Sequence, residues 1–147
     1  MSAPVQSPLG TADEPAVVPI VDYLELGDEP HLTALVCERC AARYFEHREA
    51  CASCAGSGPF TRIALPTSGR VGTFTIVHRA AGGVRTPFVS AVVYLDDGTA
   101  VRANIVDCPA TPEAVTLHMP VRLVTFDLPP DSAGTVAVGF GFTSAQR

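Results

Sequence analysis

Four cysteines fall into two close pairs, Cys37-x2-Cys40 and Cys51-x2-Cys54, with ten residues between them. Each Cys-x-x-Cys presents two sulfurs on one tight knuckle, and two facing knuckles supply the tetrahedral four-thiolate shell that Zn²⁺ prefers. The ten-residue gap suits a short hairpin that returns the chain to the metal. Gly56 and Gly58 let the backbone turn away beyond the second knuckle. The pattern predicts a structural zinc site. Its full shell leaves no position for water, which argues against metal-assisted hydrolysis. Iron in a rubredoxin-like setting would use the same four ligands, and a pair of disulfides is the oxidised alternative. His47, between the knuckles, is read as a surface residue because four thiolates already complete the shell. So small a segment has no hydrophobic core of its own, and its metal-binding energy becomes folding energy.

Little else in the chain is arranged for chemistry. Cys108 stands alone between Asp107 and Pro109, where a nucleophile would want a cation, so it is read as a small buried hydrophobe. His78 and His118 are isolated, and Gly82-Gly83 lacks the strand-to-helix setting of a phosphate cradle. Asp96-Asp97 reads as a turn former, and no Gly-x-Ser-x-Gly elbow occurs. Two features remain. Arg43 and Arg48 lie between the knuckles, and a guanidinium fork there suits a phosphate. In Gly139-Phe140-Gly141-Phe142, strand alternation puts both rings on one face and bare backbone on the other. The rings are read as core or as an anchor for a partner.

The elements that must position these residues read almost wholly as strands. His31 to Val36 leads as a strand into the first knuckle. Arg70–Arg79, Pro87–Leu95, Thr99–Val106, Pro120–Asp127 and Thr135–Phe142 are rich in β-branched and aromatic residues. Asp97-Gly98 marks a hairpin between the second and third of these. Pro109 to Met119 reads as a loop. Five short strands with one longer insertion suit an OB-type barrel, with a five-stranded sandwich as the competing fold. The organisation expected is a flexible leader over 1–16 and an arm or short helix over 17–35. A zinc ribbon over 36–62 and a barrel over 63–147 follow.

The chain has 147 residues, enough to bury a sizeable core. No apolar run approaches the ~20 residues that span a bilayer, and residues 1–15 lack the charge and apolar block of a signal peptide. The setting expected is the cytoplasm. The net charge of −5 is uneven, with six acids and no base in residues 1–30 and no lysine anywhere. The remainder is near neutral and offers no basic face for a phosphate backbone.

Taken in order, the four-cysteine ribbon, SGRVGTFTIV, TPFVSAVVYLDDGTAVRANIVDCP and HMPVRLVTF resemble a widespread zinc-ribbon/OB-fold family long catalogued as a domain of unknown function. The resemblance covers about residues 20–143. It includes Arg48 three residues before the third cysteine, the Ser-Gly that opens the barrel, and the LDDGT hairpin. Two departures stand out: the family often has Gly after the second cysteine and Pro after the third, where this chain has Ala41 and Ala52. The ending GFGFTSAQR looks closer to the stand-alone, thiolase-associated branch. The resemblance implies a mainly β protein, a rubredoxin-like zinc ribbon followed by a five-stranded OB-type barrel. It also implies a non-catalytic accessory subunit of a thiolase-like enzyme, helping to shape a CoA or acyl-CoA site. On that view Arg43 and Arg48 are candidates for CoA phosphate contact and Phe140 and Phe142 for partner contact. A free-standing acyl-CoA-binding protein is the first alternative. A nucleic-acid-binding OB protein is the second, weakened by the acid excess and by aromatics not interleaved with arginine.

Overall fold

A computed structural model describes residues 14–146. The expected leader lies outside the described residues except for its last three. Ten strands and no helix are found among the described residues, so no helix there is long and apolar enough to cross a membrane. The strands are β1 (Val17–Pro19), β2 (Leu24–Glu25), β3 (His31–Cys37), β4 (Arg43–Tyr44), β5 (Phe60–Ala64), β6 (Ser68–Val77), β7 (Phe88–Leu95), β8 (Ala100–Ile105), β9 (Pro120–Asp127) and β10 (Val136–Ser144).

The last five strands close on themselves. β6, β7 and β8 form consecutive antiparallel pairs, β10 lies parallel to β8 through Phe142 and Ile105, and β9 is antiparallel to β10. β9 also pairs with Ser68–Arg70 at the start of β6, which completes the circuit. The order β6-β7-β8-β10-β9 back to β6 is that of an OB barrel, and it rules out the sandwich. β6 serves two neighbours by bending at a register shift between Val71 and Thr73. Gly72 sits at that bend beneath the ring of Tyr94, where a Cβ would come within 2.2 Å of the ring. Period-two alternation sends Val89, Ala91, Val93 and Leu95 of β7 inward, with Val101 and Ile105 of β8.

The N-terminal arm is extended, not helical. β1 runs parallel to the first part of β10, and the Ile20 N–H continues the ladder to the Val138 carbonyl. β1 and β8 therefore share one edge of β10, β1 at Val136–Val138 and β8 at Phe142. After the turn at Val21–Leu24, β2 pairs antiparallel with β3. A helix between Pro19 and Pro30 would compete with backbone partners that two sheets already offer.

β3 is the spine of the ribbon, with β4 and β5 antiparallel on either side. β5 crosses the boundary expected at 62/63. Leu24, Leu32, Ala34 and Leu65 are buried in one continuous cluster with the barrel residues Val71, Val93, Val121 and Phe142. Ribbon and barrel thus share a core. Phe142 is fully enclosed in it, which removes that ring as an anchor for any partner. Phe140 is half-buried, its ring edge-on to Tyr23 at 6.2 Å, and Tyr23 in turn meets Phe45 at 4.8 Å. Arm, ribbon and barrel meet along that aromatic line. The bare glycine face of β10 is approached from within the chain: Phe126 lies over Gly139, and the Asn104 carbonyl faces Gly141.

Candidate metal centre and the surface around it

Cys37, Cys40, Cys51 and Cys54 converge with all four sulfurs within 4.8 Å of one another. Cys37 and Cys54 are 3.8 Å apart and Cys40 and Cys51 are 3.5 Å apart. Zn–S bonds of about 2.3 Å place tetrahedral sulfurs roughly 3.8 Å apart, so the spacing fits zinc. The two knuckles are built alike. In the first, the Ala41 N–H bonds the Cys37 carbonyl and the Cys37 N–H bonds the Ala42 carbonyl. In the second, Ala55 bonds Cys51 and Cys51 bonds Gly56 in the same pattern. Each knuckle turns the chain back through a left-handed residue, Ala41 at φ 64° and Ala55 at φ 59°.

The four sulfurs differ in setting. Cys37 and Cys51 are buried, Cys54 is half-buried and Cys40 is exposed. The Tyr44 hydroxyl lies 3.2 Å from the Cys51 sulfur. That contact, with the Cys54 and Ser53 N–H groups, draws the Cys51 thiol down to about 6. Cys54 accepts the Gly56 N–H, yet burial and the three neighbouring sulfurs together raise it to about 11. Four such close thiols cannot all ionise unaided, and a dication at their centre relieves that repulsion. Zinc supplies a structural cross-link here, four bonds that join two chain reversals.

Two domain models match. One, described as the ChsH2 rubredoxin-like zinc ribbon domain, covers residues 24–61, and the other, the ChsH2 C-terminal OB-fold domain, covers 63–127. A DUF35 domain-containing scaffold protein of Methanocaldococcus jannaschii is 32% identical over 119 residues, 79% of this chain and 83% of the relative. The chain belongs to the ChsH2/DUF35 family. A second DUF35 scaffold protein, from Methanothermobacter thermautotrophicus, is 25% identical over 76% of this chain and 85% of that relative. The solved structure of an Ltp2-ChsH2(DUF35) aldolase contains a chain of the same fold. It has a TM-score of 0.59 and 22% identity, over 79% of this chain and 86% of that one.

Within this DUF35 ribbon the two arginines have different surroundings. Arg43 leaves β4 for the barrel, where its guanidinium pairs with Asp97 and donates to the Thr99 hydroxyl at 2.8 Å. Asp97 also accepts the Thr99 N–H at 3.0 Å, so the turn former is a docking point as well. Arg48 stays exposed at the tip, its guanidinium 4.4 Å above the Tyr44 ring. His47 is exposed, and Cys108 is half-buried against the core. Burial and the Asp107 charge raise the Cys108 thiol above its ordinary value.

Sequence reasoning missed two contributors. Tyr44 touches a ligand sulfur, and the only hint was an aromatic residue four positions before Arg48. Phe126 gave no hint, because its place at the end of a strand reads equally as core. Instead it is 38% exposed and forms one wall of a cleft of about 410 Å³, with Ile20, Tyr23, Leu128 and Phe140 around it.

Proposed function

We propose that this chain is a non-catalytic accessory subunit that seats on a thiolase-like enzyme and helps shape the entrance for CoA or an acyl-CoA. The observation that carries this reading is the apolar cleft in which Ile20, just after β1, and Phe126 of β9 lie exposed. Of the seven large hydrophobic residues exposed among the described residues, Ile20 and Phe126 line that one cleft with Leu128 and Phe140 beside them, and Val17 and Val18 lie exposed on the strand that leads to Ile20. Apolar groups grouped in this way mark protein–protein contact more often than chance exposure does. The scaffold naming of the DUF35 relatives supports the reading, as does the pairing of a ChsH2 chain with Ltp2 in the aldolase. The partner supplies the chemistry at the thioester. Ile20 and Phe126 replace Phe142 as the anchors, and Phe140 lies among the residues of the cleft. Arg48 is the guanidinium available to a CoA phosphate, since Arg43 is engaged by Asp97. A cytoplasmic setting keeps the cysteines reduced for zinc.

Co-expression with a thiolase-like protein of the same genome, tagged on one partner only, tests this. The two should co-purify, and Ile20→Asp with Phe126→Asp should abolish the complex while leaving zinc content unchanged. Failure to co-purify, with a lone chain that is monomeric and binds CoA, would replace the subunit by the free-standing acyl-CoA binder.

A further inference from the structure

Among the described residues, the metal centre has one side-chain hydrogen-bond partner from outside the two knuckles. Tyr44 stands on β4, seven residues before Cys51, and its oxygen is 3.2 Å from the Cys51 sulfur. The same oxygen accepts the Ala52 N–H at 3.0 Å. With a metal bound, Cys51 is a thiolate and can only accept, so the shared proton is the phenol's. The Ala52 N–H takes one side of the phenol oxygen, and the O–H is left aimed at the sulfur. The ring is held from two sides. Phe60 of β5 meets it edge-on at 6.2 Å, and the Arg48 guanidinium covers its face at 4.4 Å. A cation over the ring makes the phenol a better donor.

We propose that Tyr44 is a positioning residue for the zinc centre, a hydrogen-bonded cap that sets how fast the metal is released. The cap works through charge. A four-thiolate zinc carries two net negative charges, and an O–H···S bond withdraws density from the sulfur that accepts it. Cys51 then gains less by capture by a competing metal or chelator. Cys40 is exposed and is the sulfur by which an attacking chelator enters. Release also requires that a buried sulfur let go, and Cys51 is the buried sulfur that Tyr44 holds. Partners outside the ligand set are typically worth about 10- to 100-fold in metal affinity.

The test uses the full-length, zinc-loaded chain and the chelator 4-(2-pyridylazo)resorcinol. Tyr44→Phe removes only the hydroxyl and should release zinc about tenfold faster. In the Co²⁺-substituted protein the same change should shift the thiolate-to-metal charge-transfer band to lower energy. Should Tyr44→Phe fail to load metal, 3-fluorotyrosine at position 44 decides. It is a more acidic phenol of nearly the same shape, and it should slow release and move the band the other way. Wild-type rates and an unmoved band would overturn the proposal. Faster release with an unmoved band would also overturn it, because that result assigns Tyr44 to packing alone.

Discussion

Arg43 and Asp97 lie 54 residues apart in sequence and join the ribbon to the barrel through an ion pair, with Thr99 as a second acceptor for the same guanidinium. The pair is partly exposed, so its coupling should be modest, about 0.5–1 kcal/mol. A double-mutant cycle of Arg43→Ala and Asp97→Asn on the zinc-loaded protein measures it. Asp97→Asn should keep the turn, because an amide oxygen still accepts the Thr99 N–H. Partial burial works to raise the Asp97 carboxyl, but the Thr99 N–H and hydroxyl and the Arg43 guanidinium outweigh it and hold the pKa below its ordinary value. A carboxyl depressed by folding adds stability above the unfolded pKa, roughly 4, and loses it as pH falls through the folded value. The coupling should therefore be constant from pH 7 to about 5. A value of zero at neutral pH would show that the contact holds nothing.

Metal removal should have a larger effect. Structural zinc contributes about 10–16 kcal/mol in small peptides, comparable to the whole stability of a domain. Because Leu24, Leu32 and Leu65 share one core with Val93 and Phe142, loss of the ribbon should loosen the barrel too. Elemental analysis should give one zinc per chain. Chelation should lower the melting temperature in a single cooperative step, and acid should act in the same direction by protonating the thiolates. Cys37→Ser should lose metal, whereas Cys108→Ser should keep it. A metal-free chain that melts where the loaded one does would refute the structural role.

The ribbon and the barrel were legible because their signals are local. Cys-x-x-Cys fixes a knuckle whatever surrounds it, and the Asp97-Gly98 turn with alternating apolar residues fixes a hairpin. What stayed hidden depends on residues far apart in sequence. Val17–Pro19 is too short to read as a strand, and only the free edge of β10 makes it one. Phe140 and Phe142 look alike on paper, yet Phe142 points into the closed barrel and Phe140 meets Tyr23 of the N-terminal arm, 117 residues earlier. Asp97 carries the chemistry of a turn residue in any sequence. That it also receives Arg43 depends on the angle at which the ribbon leans on the barrel.

The departure at Ala41 yields the last prediction. Residues that follow the second cysteine of each knuckle sit in the left-handed region, at φ 64° for Ala41 and 59° for Ala55. A side chain there places Cβ against the following carbonyl and costs about 1–2 kcal/mol, whereas glycine has no such penalty. Glycine also gives the unfolded chain more freedom, which offsets part of the gain. Ala41→Gly and Ala55→Gly should each stabilise the zinc-loaded protein by about 0.5–1 kcal/mol. The two sites lie in separate knuckles and make the same local bond, to Cys37 in one case and Cys51 in the other, so their gains should add. Denaturant unfolding with zinc in excess measures the gain. Destabilisation by both substitutions would mean that the alanine methyl groups make contacts worth more than the backbone strain they impose.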